Sequence, residues 1–488
     1  MKPNVICIVS DDQGPWALGA AGNPDIRTPQ LDRLAATGTR FDNMFCVSPV
    51  CSPARASIMS GKIPSQHGVQ DWLRKGNSPI ESPDNGYVHR YMDGHVGYTE
   101  ILAEAGYNCG MVGKWHLGDA HTPQMGFNYW YTHAKGASDY YGAPMIENGE
   151  LSYEPRYVTD VITDKALDFL GAQQPNQPFC LHVNYTAPHS PWDAGNHPAE
   201  QYNEYFNNCN FDSIPKEPIH RWQMTSAPVG YDDASRRSVL SGYFAAVTAM
   251  DANIGRILDW IDEQGIREKT IVFFTSDNGM NMGHHGIYGK GNGTFPQNMF
   301  DTSVKVPAII SHPGSIPSGV VCDALVSHYD YMPTLLDMLE LDPTRTAPEE
   351  LPGRSAKRII YGEEAGVHDH VVVYNEYGPV RMIRDKEWKY VHRYPHGPHE
   401  LYNLADDPDE RLDLFGIPSY EEKVEELRGK LEEWFVSYVD PRVDAVREAV
   451  SGRGQNGPTG VYKEGKEVFS DDFVFYYDDK ARSIGFSF

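Results

Sequence analysis

Two pairs of residues, far apart in the chain, carry the first chemical signal. Asp11 and Asp12 follow the apolar run VICIV at 5–9, and Asp277 and Asn278 follow IVFF at 271–274. An Asp or Asn after a strand is commonly a turn or cap residue. Brought together, three carboxylates and an amide form a set of hard oxygen ligands that suits Ca²⁺ or Mg²⁺ and not zinc. They would repel one another strongly without a cation between them. A second group is cationic. Lys114 and His116 lie in GYNCGMVGKWHLG, His189 in TAPHSPW and Lys290 in HHGIYGKGNG. With Arg55 they make three permanent cations and two histidines. Singly, such residues are usually solvated or structural. In a chain of formal charge −25, their placement after strand-like runs points to a pocket for a tetrahedral oxyanion.

The third signal is SPVCSPARASIMSGK at 48–62. A proline at a first helical position, small residues behind it and Gly61 at the far end read as a short capped helix. Cys51 then sits at the positive end of the helix dipole, with Arg55 one turn on along the same face. A lone cysteine is ordinarily a small buried apolar residue. Its meaning depends on what the rest of the chain places around it.

The elements that must position these residues are legible in outline. The runs at 5–9, 179–183 and 271–274 are continuously apolar and β-branched, as strands buried on both faces of a parallel sheet are. Ligands of such sheets bind beyond the carboxyl ends of the strands, where the polar residues above converge. TPQLDRLAATG reads as a helix with Thr28 as N-cap, Pro29 first, a Leu31, Leu34, Ala35 face and Gly38 as terminator. A longer helix is expected over 239–264. From about 366 the texture changes to short antiparallel strands in HVVVYNEY, VRMIRD and WKYVHRY. A helix follows with Val424, Leu427, Leu431, Trp434 and Tyr438 on one face. The expected division is an α/β catalytic domain over 1–365, an α+β subdomain over 366–450 and a tail over 451–488 of no readable role.

Composition narrows the function classes. The 488 residues allow one large domain with a smaller companion. No basic stripe exists for a nucleic-acid backbone. Seven scattered cysteines form no disulfide framework and no zinc spacing, which favours a reducing compartment. The first fourteen residues hold one five-residue apolar run, too short for a signal peptide core or a membrane span. Taken at face value the chain is expected to be cytoplasmic and without a membrane partner; a trimmed export signal would leave no trace. No pattern fixes an oligomeric state.

With these residues in view, the sequence resembles the formylglycine-dependent (type I) sulfatases of the alkaline-phosphatase superfamily. CSPAR matches the C-x-P-x-R signature, and GYNCGMVGKWHLG matches a second one. SDDQG, TPQLDRLAATGTRF, APHSP, SDNG, KVPAIISHPG and WKYVHRY…ELYNLADDPDE match in order, to about residue 440. Cys109 and Ser60 depart from the usual Ser/Thr and Thr, outside the reactive positions. The resemblance implies an α/β fold with a large, mostly parallel central sheet flanked by helices and a smaller C-terminal α+β subdomain on a short antiparallel sheet. It implies that Cys51 is oxidised to formylglycine by a maturation enzyme and hydrated to a geminal diol, which can expel sulfate by breaking its own C–O bond. Asp11, Asp12, Asp277, Asn278 and the modified Cys51 would hold a metal, Ca²⁺ ahead of Mg²⁺ or Mn²⁺. Arg55 and Lys114 would stabilise the ionised diol, and His116 would take the proton of its second hydroxyl. His189 and Lys290 would bind the ester and protonate the departing alcohol.

Two other readings compete. One is a phosphate or phosphonate ester hydrolase of the same superfamily; against it, the metal set lacks the extra histidines and second-metal ligands of phosphatases. The other is a protein that binds sulfated glycans without cleaving them, which every filled reactive position opposes. The substrate is expected to be a saccharide or small-molecule sulfate ester. Residues 64–100, 119–160 and 190–238, rich in aromatic and polar groups, are expected around the pocket mouth. Trp72, Arg74 and Lys75 read equally as a contact for an anionic sugar and as a solvated loop.

Overall fold

Strand Asn4–Ser10 begins the chain yet lies inside a ten-stranded sheet, between Thr270–Ser276 and Phe179–Asn184. The computed structural model describes residues 2–83, 85–342, 351–375, 380–463 and 467–470. The acidic-aromatic stretch from 471 lies outside them, as do Glu376 and Tyr377 of HVVVYNEY. Strands Thr270–Ser276, Asn4–Ser10, Phe179–Asn184, Asn108–Gly113 and Tyr129–His133 run parallel in that order. Beyond them, Ala308–Ser311 and Thr39–Phe41 continue the sheet antiparallel on one side, and Ala143–Glu147 and Glu150–Glu154 on the other. Val320–Cys322 closes the first edge, parallel to Thr39–Phe41. The sheet is therefore mixed, with its parallel part at the centre.

Strand alternation sorts the side chains of the first strand. Val5, Cys7 and Val9 join a core with Ile58 and Met59 of helix Cys51–Ser60. Ile6 and Ile8 join a core on the opposite face with helices Val158–Gly171 and Asp233–Glu263. Burial on both faces explains the unbroken apolar runs. Helix Asp233–Glu263 starts well before the expected 239, because a capping box between Asp232 and Ser235 nucleates an exposed first turn. Among the described residues no helix is long and apolar enough to cross a membrane.

Helix Pro29–Ala36 buries Leu31, Leu34 and Ala35, and its C-cap is Thr37. Thr28 occupies the N-cap position but its hydroxyl donates to Asp32. The first-turn N–H groups of Gln30 and Leu31 instead donate to Asp251 of the long helix, at 3.0 and 2.7 Å. A cap from 220 residues away along the chain leaves no local sequence signal.

The C-terminal part is a meander of Val371–Asn375, Val380–Arg384, Trp388–Arg393 and Glu400–Asn403, covered by helix Glu421–Tyr438. The helix buries Leu427, Leu431 and Phe435 against Val372, Ile383, Tyr390 and Leu401. All five expected residues pack on this core, Val424, Trp434 and Tyr438 half-buried at its flanks; Phe435, one turn after Leu431 and not named in the sequence reading, is buried with Leu427 and Leu431. The other face of the meander, with Val371, Val373 and Met382, belongs to the main core.

Candidate active site

The carboxyl ends of the central strands deliver the chemistry to one place. Ser10 pairs with Ser276, and Gly113 and Val9 both pair with Asn184, so the strands end level. Asp11 and Asp12 leave the first strand, Asp277 and Asn278 the next, and Lys114 and His116 follow Gly113. Gly113 has φ +99°, and a Cβ there would sit 1.9 Å from the carbonyl oxygen of Asn184; only glycine lets the chain leave the sheet at this point. One oxygen from each of Asp11, Asp12 and Asp277 lies within 4.8 Å of the others. Asp277 Oδ1 accepts from the backbone N–H groups of Asp12 and Asn278, at 3.1 and 2.9 Å. Asn278 Nδ2 donates to Asp12 Oδ1 at 2.9 Å. Asn278 Oδ1 is buried with no hydrogen-bond partner among the described residues. An orphaned acceptor beside three carboxylates is the donor set a hard cation completes.

Helix Cys51–Ser60 is buried along its whole length and begins at Cys51 itself, with Pro53 third and not first. No side chain caps it, and Gly61 ends it at φ +68°. Cys51 Sγ lies 3.4 Å from Asp11 Oδ1 and 2.8 Å from Lys290 Nζ. As a thiol, Cys51 is pushed up to about 12 by burial and by the Asp11 carboxylate. Unmodified it is a protonated thiol at neutral pH and no nucleophile. Arg55 Nε donates to Asp277 Oδ2 at 3.0 Å, and Nη1 donates to the Lys114 carbonyl at 3.0 Å. Its guanidinium thus faces the carboxylates, with Asp11 3.8 Å away. Lys114 Nζ lies 2.5 Å from Asp11 Oδ2 and Lys290 Nζ 2.5 Å from Asp12 Oδ1.

The two histidines are held differently. His116 Nε2 donates to the Leu73 carbonyl at 3.0 Å, which fixes the tautomer and leaves Nδ1 buried with no hydrogen-bond partner among the described residues. Burial first, and then the charge of Lys114, hold its pKa well below the usual histidine value. It is a neutral base with its lone pair on Nδ1. His189 donates from Nδ1 to the Ser190 carbonyl at 2.7 Å, and its Nε2 lies 3.6 Å from Asp12 Oδ2.

With the carboxylates, Asn278 and Arg55 buried behind them, Cys51, Lys114, His116, His189 and Lys290 line the floor of a cleft of about 440 Å³. Its walls come from residues 72–75, 135–137, 224–226, 290–297 and 451–453, with Glu81. The structure brings together all ten residues singled out in the sequence. The sequence reading missed the walls over 290–297 and 451–453, and it missed Gly136. A Cβ at Gly136 would lie 2.4 Å from His116 Cε1 and Nε2. A glycine in an unremarkable loop gives no signal of that contact until the imidazole is placed.

Comparison with known proteins agrees with this geometry. A family profile described as Sulfatase matches residues 3–341, and one described as N-sulphoglucosamine sulphohydrolase, C-terminal, matches 283–436. The chain belongs to the sulfatase family. It is 28% identical to the N-acetylglucosamine-6-O-sulfatase of Bacteroides thetaiotaomicron, covering 93% of this chain and 89% of that protein. It is 30% identical to the ulvan-active sulfatase of Formosa agariphila, covering 88% and 80%. A solved structure in complex with its substrate, D-glucosamine-2-N,6-O-disulfate, superposes with TM-score 0.76 at 26% identity, over 92% of this chain and all of that one. This sulfatase is thus a sulfuric ester hydrolase, and its family implies a bound metal and a formylglycine-modified cysteine. The carboxylate trio and the orphaned Asn278 oxygen fit such a metal.

Proposed function

We propose that this sulfatase hydrolyses a carbohydrate O-sulfate with the hydrated formylglycine formed from Cys51 and a bound Ca²⁺. The observation that carries this reading is the convergence on Cys51 of three buried carboxylates, the bare Asn278 oxygen and three cations, at a cleft onto which Cys51, Lys114 and Lys290 open. The names of the relatives support a saccharide substrate. The side-chain charges of Asp11, Asp12 and Asp277 balance those of Arg55, Lys114 and Lys290. A divalent metal therefore leaves the site positive, which matches a sulfate monoester and a nucleophilic oxyanion.

Asp11, Asp12, Asp277, Asn278 and residue 51 would hold the metal, which when bound supplies Lewis-acid stabilisation to the nucleophilic and sulfate oxygens. Mixed carboxylate and amide ligands in loops favour Ca²⁺ over Mg²⁺ or Mn²⁺. Formylglycine supplies a diol, one hydroxyl to accept the sulfo group and a second whose deprotonation expels sulfate. Lys114 and Arg55 orient the carboxylates and favour the ionised hydroxyl. His116 accepts the proton of the second hydroxyl at Nδ1. Lys290, already beside residue 51, holds sulfate oxygens, and with His189 protonates the leaving alcohol. A maturation enzyme supplies the oxidation of Cys51. The competing reading, a phosphate or phosphonate ester hydrolase of the same superfamily, is separated from this one by substrate preference.

The test joins mass spectrometry of residue 51 with kinetics. Active enzyme should carry formylglycine at 51 and bind one Ca²⁺ per chain. It should release sulfate from sulfated saccharides and prefer aryl sulfate over aryl phosphate in kcat/KM. Full activity with a free thiol at 51 would overturn the mechanism, and a preference for phosphate would overturn the substrate class.

A further inference from the structure

The cleft walls carry a charge pattern that the reaction on the floor does not use. Beyond Lys114 and Lys290, the lining holds Arg74, Lys75, Lys135 and Arg453, against Glu81 as the one acid among the described residues. In a chain of charge −25 such a wall is a marked local reversal. Glu81 accepts from Asn77 Nδ2 at 2.8 Å, and burial pushes its carboxyl up to about 7; even fully ionised it offsets only one of the four cations. Trp72 adds a half-buried aromatic face to the same wall.

The wall is built, not a loose loop. Gln455, fully buried, fastens the segment after the C-terminal helix to the loop that bears Trp72 and Arg74. Its backbone donates to the Trp72 carbonyl at 2.8 Å and accepts from Arg74 N–H at 3.0 Å. Its side chain accepts from the Gln70 and Asp71 N–H groups, at 2.8 and 3.2 Å, and donates to the Gly68 carbonyl at 3.1 Å. Gly454 has φ +109°, and a Cβ there would meet Arg74 Cβ at 2.7 Å and Trp72 Cζ2 at 3.1 Å. Arg74 itself donates to Ser470 of the same segment. On the inner side, Leu73 N–H donates to Ser52 Oγ in the Cys51 helix at 3.1 Å, and the Leu73 carbonyl holds His116. One rigid seam thus connects the cationic wall to the reacting groups.

We infer that this wall is a second anion subsite: Arg74, Lys75, Lys135 and Arg453 engage a further negative group on the saccharide, and Trp72 covers a sugar face. The substrate is then a multiply charged saccharide, carrying a second sulfate or a uronic carboxylate beside the scissile ester. This deepens the carbohydrate-sulfatase reading and rests on it. A neutral wall would suffice for a sugar with one sulfate, since the floor already provides the charges that sulfate needs.

The test uses matured full-length enzyme and three saccharides sharing one scissile sulfate: one with no other charge, one with a second sulfate, one with a uronic carboxylate. Wild type should show kcat/KM at least about 10-fold higher on a doubly charged member than on the singly charged one, with the preference eroded by salt. Arg453→Ala and Lys75→Ala should each reduce that ratio by about 3- to 10-fold, and Arg453→Lys should restore part of it. Which member gains tells a sulfate from a carboxylate as the second group. Equal kcat/KM across the three saccharides, or ratios unmoved by both alanine variants, would overturn the subsite while leaving the sulfatase reading intact. Turnover of aryl sulfate with none of any saccharide would overturn the carbohydrate reading itself.

Discussion

His116 is made a base by two neighbours that take no part in the reaction. The Leu73 carbonyl accepts the hydrogen bond from Nε2–H, and Gly136 leaves room for the ring edge. Gly136→Ala puts a methyl 2.4 Å from the imidazole and forces it off the carbonyl. We expect kcat to fall about 10²-fold, the scale of a lost general base, with the thermal midpoint changed little. An active Gly136→Ala enzyme would remove the importance given to that tautomer. Cys51→Ser tests the diol. Serine keeps a hydroxyl at the helix N-terminus beside Lys114 and Lys290, so attack on the ester can proceed slowly. It lacks the second hydroxyl from which His116 draws a proton. Released alcohol should stop at about one equivalent per site, with one sulfo group added to residue 51. Sustained turnover by this variant would mean that sulfate leaves by another route.

At the scale of elements, the meander is fixed to the main domain by a buried ionic cluster. Lys389 Nζ lies 2.7 Å from Asp301 Oδ1 and from the Met299 carbonyl, and also contacts Glu410. Arg384 and Lys305 approach Asp301 at 3.4 and 3.1 Å. Lys389→Met leaves Glu410 buried without its cation beside Asp301, which keeps Arg384 and Lys305. It should cost roughly 3–5 kcal/mol in urea unfolding, and Glu410→Gln, which keeps the acceptor, much less. Equal losses would show that shape and not charge holds this junction. The same scale shows what was readable in the chain. The strands at 4–10, 179–184 and 270–276 were legible because burial on both faces leaves an unbroken apolar run, and the residues after them were legible because parallel strands end level. The cap from Asp251, the burial of Phe435 and the wall at 451–453 were not. Each depends on a partner far along the chain, and local pattern holds no record of such a partner.

For the whole molecule, buried histidines set the response to acid. His133, His182 and His197 are lowered to about 4 and His328 to about 3, burial being the largest cause in each. In the unfolded chain each protonates near pH 6.5. Between about 6.5 and 4 these sites bind more protons in the unfolded state, which lowers stability as the pH falls; the carboxyls of Glu81, Asp251 and Glu410, raised to about 7 by burial, act in the opposite sense and offset part of it. The slope is up to about 1.4 kcal/mol per pH unit for each histidine. The urea midpoint should drop clearly from pH 7.5 to 5.0; equal midpoints would contradict the burial of these rings.

The position of the first strand also sets a timetable. Asn4–Ser10 pairs only with strands that come much later, Phe179–Asn184 and Thr270–Ser276. On a ribosome adding about 5–20 residues per second, the span from Cys51 to Ser276 takes roughly 10–45 s to appear. Through that interval the sheet that will enclose Cys51 cannot close, and the CSPAR segment is an open peptide. In the finished fold Cys51 is only 3% exposed, out of reach of another enzyme's catalytic groups. On the maturation proposed above, oxidation of this cysteine is a race against the completion of the sheet, and the strand order would give an oxidising enzyme its head start.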